Sequence, residues 1–316
     1  MPDAQCLALG TTYFWRSRSR SRNLFRTHRV ARRLAHHSNA LRQRDGANPA
    51  YARSLPFLAH RADGGTRMTR WALVTAGAQG LGAALSRHLL EQGYRVVVHY
   101  HSSVAGANAL KQAFGDAQVV TAAADLATQD GRLSLSETVK HHVDELHVLI
   151  NNLGVYHEVP LLDTSLDLWE TTLSLTCTAA FHLIQELHPL MPNGGRIVNI
   201  GDSSIDRLEG HISATPYYVG KYGLHVLTRS YAPLLAKRGI AVNMISPGWL
   251  ENSVGPSNPD LPAGRRGTFR DITGALDYLL SDAADYVSGT NLIVAGGFNV
   301  TRSLTGFGTE YGAKPD

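Results

Sequence analysis

Seven short apolar runs rich in β-branched residues punctuate the chain beyond its first 70 residues. They are Trp71–Thr75, Arg95–His99, Gln118–Thr121, His147–Asn151, Arg196–Ile200, Ile240–Ile245 and Asn291–Val294. Each is continuously apolar rather than alternating, as in strands buried on both faces. Between them lie helix-length segments with apolar spacing of three and four, such as Leu81–Gln92 and Leu168–Leu190. Such alternation implies right-handed βαβ crossovers, and hence an α/β fold with a doubly wound parallel sheet flanked by helices. Ligands in this architecture bind beyond the carboxyl ends of the strands, so those ends carry the functional argument.

Residues 1–67 read differently. With 13 arginines, no lysine and three aspartates, they carry a charge of +10, so the net +4 of the chain leaves the remainder at −6. A mildly acidic body gives no electrostatic footprint for nucleic acid, and none is expected as a partner. Apolar residues between Phe14 and Arg44 are too sparse to build a core, which predicts a disordered basic leader. Three readings of it remain open: a start site placed upstream of Met68, a flexible tail, or an Arg- and Ser-rich organelle-targeting peptide. Residues 68–316 are expected to form a single domain. The two cysteines, Cys6 and Cys177, make neither a disulfide framework nor a cysteine zinc site, and they fit a reducing compartment. No apolar run approaches the roughly 20 residues needed to cross a bilayer. A cytoplasmic protein without membrane partner or metal is expected.

Immediately after the first run comes Thr75-Ala76-Gly77-Ala78-Gln79-Gly80-Leu81-Gly82, opening a helix. Glycines there let the backbone turn tightly and approach a pyrophosphate, whose charge meets the helix N-terminus. This is a Rossmann-type dinucleotide site. The second run ends in His99-Tyr100-His101-Ser102-Ser103, without the acid that holds the ribose 2′-hydroxyl in NAD sites. Hydroxyls and imidazoles can donate to a 2′-phosphate, so NADP is favoured over NAD. His88, His141 and His142 are read as solvated helix-surface side chains.

Tyr217 and Lys221 stand four residues apart at the start of a helical segment and share a face. A tyrosine beside an ammonium group can exchange a proton with a substrate oxygen while hydride passes to or from a nicotinamide. With the glycine loop at 75–82, Asp125-Leu126, Asn151-Asn152-Leu153-Gly154, Pro247-Gly248 and the tail from Asp282 to Gly297, the chain resembles the short-chain dehydrogenase/reductases from about Met68 to Val300. The resemblance implies Tyr217 as acid/base, with Lys221 holding the nicotinamide ribose and lowering the tyrosine pKa. It implies Asp125 and Leu126 at the adenine, Asn152 and Gly154 along the cofactor, and Pro247 and Gly248 beside the carboxamide. A serine orienting the substrate oxygen is implied as well. Spacing from the tyrosine points to Ser204, whereas counting from the end of the fifth run points to Asp202. Pteridine reductases have an aspartate there, and also a histidine-tyrosine-histidine stretch similar to His99-Tyr100-His101. Ser204 leads narrowly, and both are carried forward.

Three residues depart from the family pattern. Ala76 stands in place of the first glycine, with Gly77 able to absorb part of the change. Leu153 replaces an alanine, and Thr176 replaces the helix asparagine of a proton relay. Trp249–Gly267 is expected as a lid over the substrate, with Tyr156, His157, Ser203, His211 and Trp249 as aromatic and polar walls. A carbonyl, alcohol or pterin is the expected substrate class. The family habit implies a homodimer or homotetramer through the helices around 165–190 and 214–237.

Overall fold

A computed structural model of the protein describes residues 70–253 and 261–301. The leader of residues 1–67 and the lid centre, 254–260, lie outside the described residues. Seven parallel strands form one sheet in the order β3-β2-β1-β4-β5-β6-β7. They are β1 (Trp71–Val74), β2 (Arg95–Tyr100), β3 (Val119–Ala123), β4 (Leu146–Asn151), β5 (Arg196–Ile200), β6 (Ala241–Pro247) and β7 (Asn291–Val294). All seven apolar runs are strands, with ends displaced by at most two residues. The order reverses between β1 and β4, which opens a crevice at their carboxyl ends.

Period-two alternation sends side chains of each strand to opposite faces, and both faces are apolar. In β1, Ala72 and Val74 join a core under helices α1 (Gly80–Glu91), α2 (Val104–Phe114) and α7 (Phe269–Leu280). Trp71 and Leu73 join a second core under α3 (Gln129–His142), α5 (Ala179–Leu187) and α6 (Thr215–Leu235), with α4 (Leu166–Leu173) between α3 and α5 in the chain. A short α8 (Phe298–Thr301) follows β7. Helix starts are chemically marked: Thr128 caps α3, Ser165 caps α4, and Thr268 with Asp271 forms a capping box on α7.

The segment read as one helix over Leu168–Leu190 is broken by a π-helical turn at Ser174–Thr178 between α4 and α5. That turn presses Thr176 against α6. His88, expected to be solvated, instead pairs with Asp277 at 2.6 Å and ties α1 to α7. Among the described residues no helix is long and apolar enough to cross a membrane.

Candidate active site

Strand β1 ends in Thr75, whose hydroxyl accepts hydrogen bonds from the backbone N–H of Asn152 (2.8 Å) and Leu153 (3.1 Å) at the end of β4. The Asn152 side chain returns a bond to Thr75 O at 3.0 Å. Two strand ends flanking the crevice are thereby locked together. The following turn passes through Ala76, Gly77 and Gln79 into α1, where a Cβ on Gly82 would stand 1.9 Å from Ala76 O. Only glycine allows that approach, which leaves the backbone of the turn open towards a ligand.

Ala76 itself adopts a left-handed backbone, φ 48°. Gly77, expected to share that burden, has no positive φ. It is required for close packing instead, since a Cβ there would meet Ser86 and Val74 O at 2.8 Å. The strain at Ala76 gives a first prediction. Relief of roughly 1–2 kcal/mol, less 0.4–1 for the looser unfolded chain, makes Ala76→Gly stabilising by about 0.5–1 kcal/mol. Thermal melts should show a rise of roughly 2–3 °C, and a lower Tm would contradict the strain argument.

His99 was expected among the phosphate ligands, and the structure places it otherwise. It is 1% exposed, and both ring nitrogens are engaged. Nδ1 accepts from Ala76 N–H at 3.0 Å, so Nε2 carries the proton and donates to Ala124 O at 3.0 Å. Burial pushes its pKa down to about 4 against the smaller raising effect of the Ala124 bond, with opposing contributions from His101 and Asp125. The imidazole is a neutral strut between the glycine turn and the β3–α3 loop. Exposed His101 and Ser102 remain at the rim, and Ser103 donates to Gln79 at 2.6 Å.

Beneath them lies a cavity of about 350 Å³. Its lining includes Ala76, Gln79, His99–Ser103, Asp125, Leu126 and the substituted Leu153. The same cavity reaches Val155, Thr171 and Leu175, which sequence reasoning did not single out. Asn252 was missed too: its amide nitrogen lies 3.1 Å from the position a Cβ on Gly80 would take. No local pattern marked it, because the contact joins loops 172 residues apart in sequence. At the end of β6, Pro247 is buried, and Gly248 is pressed against Ala295, which a Cβ would approach to 2.8 Å.

Across the crevice, α6 is preceded by Ala214, also left-handed at φ 51°, and has Pro216 in its first turn. One turn in, the Tyr217 hydroxyl donates to Asp202 Oδ2 at 2.8 Å. Asp202 Oδ1 accepts from Ser204 N–H at 2.7 Å. Of the two candidates, it is Asp202, found by the strand-end count, whose side chain meets Tyr217, while Ser204 meets Asp202 through its backbone N–H. Lys221 is 3% exposed and donates to Ile200 O at 2.7 Å, with Nζ 5.5 Å from the Tyr217 ring centre. A Cβ on Gly154 would fall 2.9 Å from that nitrogen, so the residue gives the ammonium its space.

The electrostatics also differ from expectation. Burial, followed by the Asp202 carboxylate, raises the Tyr217 pKa well above the ordinary tyrosine value. Lys221 does not reverse this. Its own pKa falls to about 8 through burial, with Asp202 opposing. Tyr156 stands edge-on to Tyr217 with ring centres 5.2 Å apart, and His211 stacks on Tyr218 at 3.5 Å. Ser203 is buried, while Trp249 packs against Phe298 and Arg266. The base of the expected lid is a ribbon: Glu251 N–H donates to Gly267 O and Gly267 N–H to Trp249 O, both at 2.8 Å.

A glycine turn at a helix start, a cavity at the β2 and β3 ends, and a Tyr–Lys pair at the end of β5 fit a bound dinucleotide. The chain belongs to the short-chain dehydrogenase/reductase family. Residues 75–299 match the family model described as enoyl-(acyl carrier protein) reductase. The chain is 30% identical over 247 residues to the putative oxidoreductase YtkK of Bacillus subtilis, covering 73% of this chain and 97% of that one. It is 30% identical over 244 residues to the 3-oxoacyl-(acyl-carrier-protein) reductase FabG of Staphylococcus aureus, covering 73% and 98%. Among solved structures, a blue fluorescent protein from a metagenomic library in complex with NADPH is 33% identical, with TM-score 0.68 over 72% of this chain and 97% of that one. A short-chain dehydrogenase from Burkholderia cenocepacia in complex with NADP is 26% identical, with TM-score 0.68 over 74% and 100%.

Proposed function

We propose that the protein is an NADP-dependent oxidoreductase acting on a carbonyl/alcohol pair or a pterin-like ring, with Tyr217 as the proton donor and acceptor. The observation that carries this reading is the Tyr217 hydroxyl bonded to Asp202, one helical turn from buried Lys221. The nicotinamide, when bound, supplies or accepts the hydride. Tyr217 holds its proton at neutral pH because burial and Asp202 both disfavour the phenolate. It is thus poised as an acid, in the direction of reduction. A substrate oxygen entering the crevice takes the phenolic hydrogen over from Asp202. Lys221, still mostly protonated at neutral pH, keeps a positive charge beside the phenolate left behind.

The paired acceptor and donor, Asp202 and Tyr217, also complement a ring edge presenting N–H beside C=O or C=N. Tyr156 supplies a flat wall next to it. This supports a pterin-like substrate, while a 3-oxoacyl thioester like that in the name of the Staphylococcus relative would use Tyr217 alone. NADP is supported by the absence of acid at the end of β2, by exposed His101 and Ser102, and by the NADPH and NADP in the two neighbours. Exposed Phe181, Val219 and Val226 on α5 and α6 support pairing of subunits into a homodimer or homotetramer. Free Cys177 fits a reducing, cytoplasmic setting.

A second reading, an NADP-binding sensor with little turnover, is favoured by one observation. The Thr176 hydroxyl is buried without a hydrogen-bond partner among the described residues, at the position where the family asparagine orders a relay. Titrating the protein with NADPH and NADH by cofactor fluorescence, and then supplying a carbonyl panel that includes a dihydropterin, separates the two. NADPH should bind at least roughly tenfold more tightly, the worth of one charge-assisted phosphate contact. Its oxidation should follow addition of a carbonyl. Binding without turnover would favour the sensor, and equal affinities would overturn the NADP preference.

A further inference from the structure

The loop between β3 and α3 forms one wall of the cavity, and four successive residues of it line that cavity: Ala124, Asp125, Leu126 and Ala127. Beyond Ala124, whose N–H donates to Tyr100 O at 3.0 Å, its own bonds are local. Asp125 Oδ1 accepts from Ala127 N–H at 3.0 Å, and Thr128 bonds back to Asp125 O through its N–H (3.2 Å) and its hydroxyl (3.0 Å). The carbonyls of Leu126 and Ala127 accept nothing from the backbone of the described residues, and a buried acceptor left unpaired is costly.

Arg132 meets both. From the first turn of α3 its side chain folds back, and Nη1 donates to Leu126 O at 2.9 Å and to Ala127 O at 3.0 Å. The residue is only 9% exposed, and its buried Nε has no partner among the described residues. A guanidinium carried out of water with a donor left over is an expensive way to close a loop, when Thr128 already caps the helix. The arrangement fixes the height of the loop above the cavity floor. Leu126, 1% exposed, anchors it from below, and His99 holds Ala124 O at its near end.

We propose that Arg132 is a positioning residue for the adenine half of the cofactor: it sets the 125–127 loop against which that half packs, without touching the nicotinamide half. This rests on the dinucleotide reading above. It differs from the role of His99, which spans both the glycine turn and the loop and so cannot separate the two ends of the ligand.

The test compares binding of ADP-ribose and of reduced nicotinamide mononucleotide to the full chain and to Arg132→Met and Arg132→Lys, by calorimetry and ligand-observed NMR. In Arg132→Met, affinity for ADP-ribose should fall about tenfold or more, as expected for losing a charged donor to two carbonyls. Binding of the mononucleotide should stay within twofold of wild type. Arg132→Lys, which keeps a cation able to reach one carbonyl, should recover part of the loss, and it serves alone should the methionine variant fail to fold. Unchanged ADP-ribose affinity in the lysine and methionine variants, or a parallel fall for both fragments, overturns the inference and leaves the dinucleotide reading intact. A wild-type protein that binds neither fragment nor NADPH overturns both.

Discussion

Tyr217→Phe should abolish carbonyl-dependent NADPH oxidation, lowering kcat by about 10²- to 10⁴-fold, the range for removal of a positioned general acid. Cofactor affinity should hold, because the hydroxyl bonds to Asp202 and the ring remains packed against Tyr156. Asp202→Ala should cost more activity than Ser204→Ala, since only Asp202 meets the tyrosine. The pH profile separates an acid role from mere packing. Burial and the carboxylate both raise the Tyr217 pKa, so loss of the phenolic proton should not limit reduction; the alkaline limb should instead follow loss of the Lys221 charge, at about 8. In Asp202→Ala the carboxylate no longer holds up the Lys221 pKa, and that limb should move to lower pH. A Tyr217→Phe enzyme with near wild-type kcat would remove Tyr217 from the chemistry.

His99 gives the other large effect, and it concerns stability. Its folded pKa is about 4 against 6.5 for an unhindered imidazole. Between those values the unfolded chain takes up a proton that the folded protein refuses. Full stability is therefore present above about pH 6.5, and it declines as pH falls towards 4. The whole loss from this one group is about 3 kcal/mol, at 1.36 kcal/mol for each unit of difference. His99→Gln keeps a donor and an acceptor without titrating, so its denaturation free energy should be flatter with pH by up to that amount. His99→Phe leaves Ala76 N–H and Ala124 O buried and unpaired, at roughly 1–3 kcal/mol each. Urea unfolding at several pH values measures both, and a wild-type profile parallel to that of His99→Gln would refute the buried strut.

The strands and the glycine turn were legible because they depend on short-range pattern. β-Branched runs buried on both faces are continuous in sequence, and a helix started by Gly80-Leu81-Gly82 needs no distant partner to be recognised. Tyr217 and Lys221 were legible for the same reason, since four residues make one helical turn. What a single side chain does at a strand end was not legible. His99 and His101 are two residues apart at the end of β2, yet one is buried between two backbones and the other lies exposed at the rim.

The sequence by itself determined the order of elements, the dinucleotide turn and the chemical pair on α6, all of which are local consequences of residue type and spacing. The tertiary structure alone decided that Asp202 and not Ser204 meets Tyr217, because the loop between β5 and α6 can vary in length without changing either element it joins. It alone revealed Arg132 under the cavity loop and Asn252 beside Gly80. Those contacts depend on how separate segments pack, and burial of a polar group is resolved only by whichever partner the fold brings within reach.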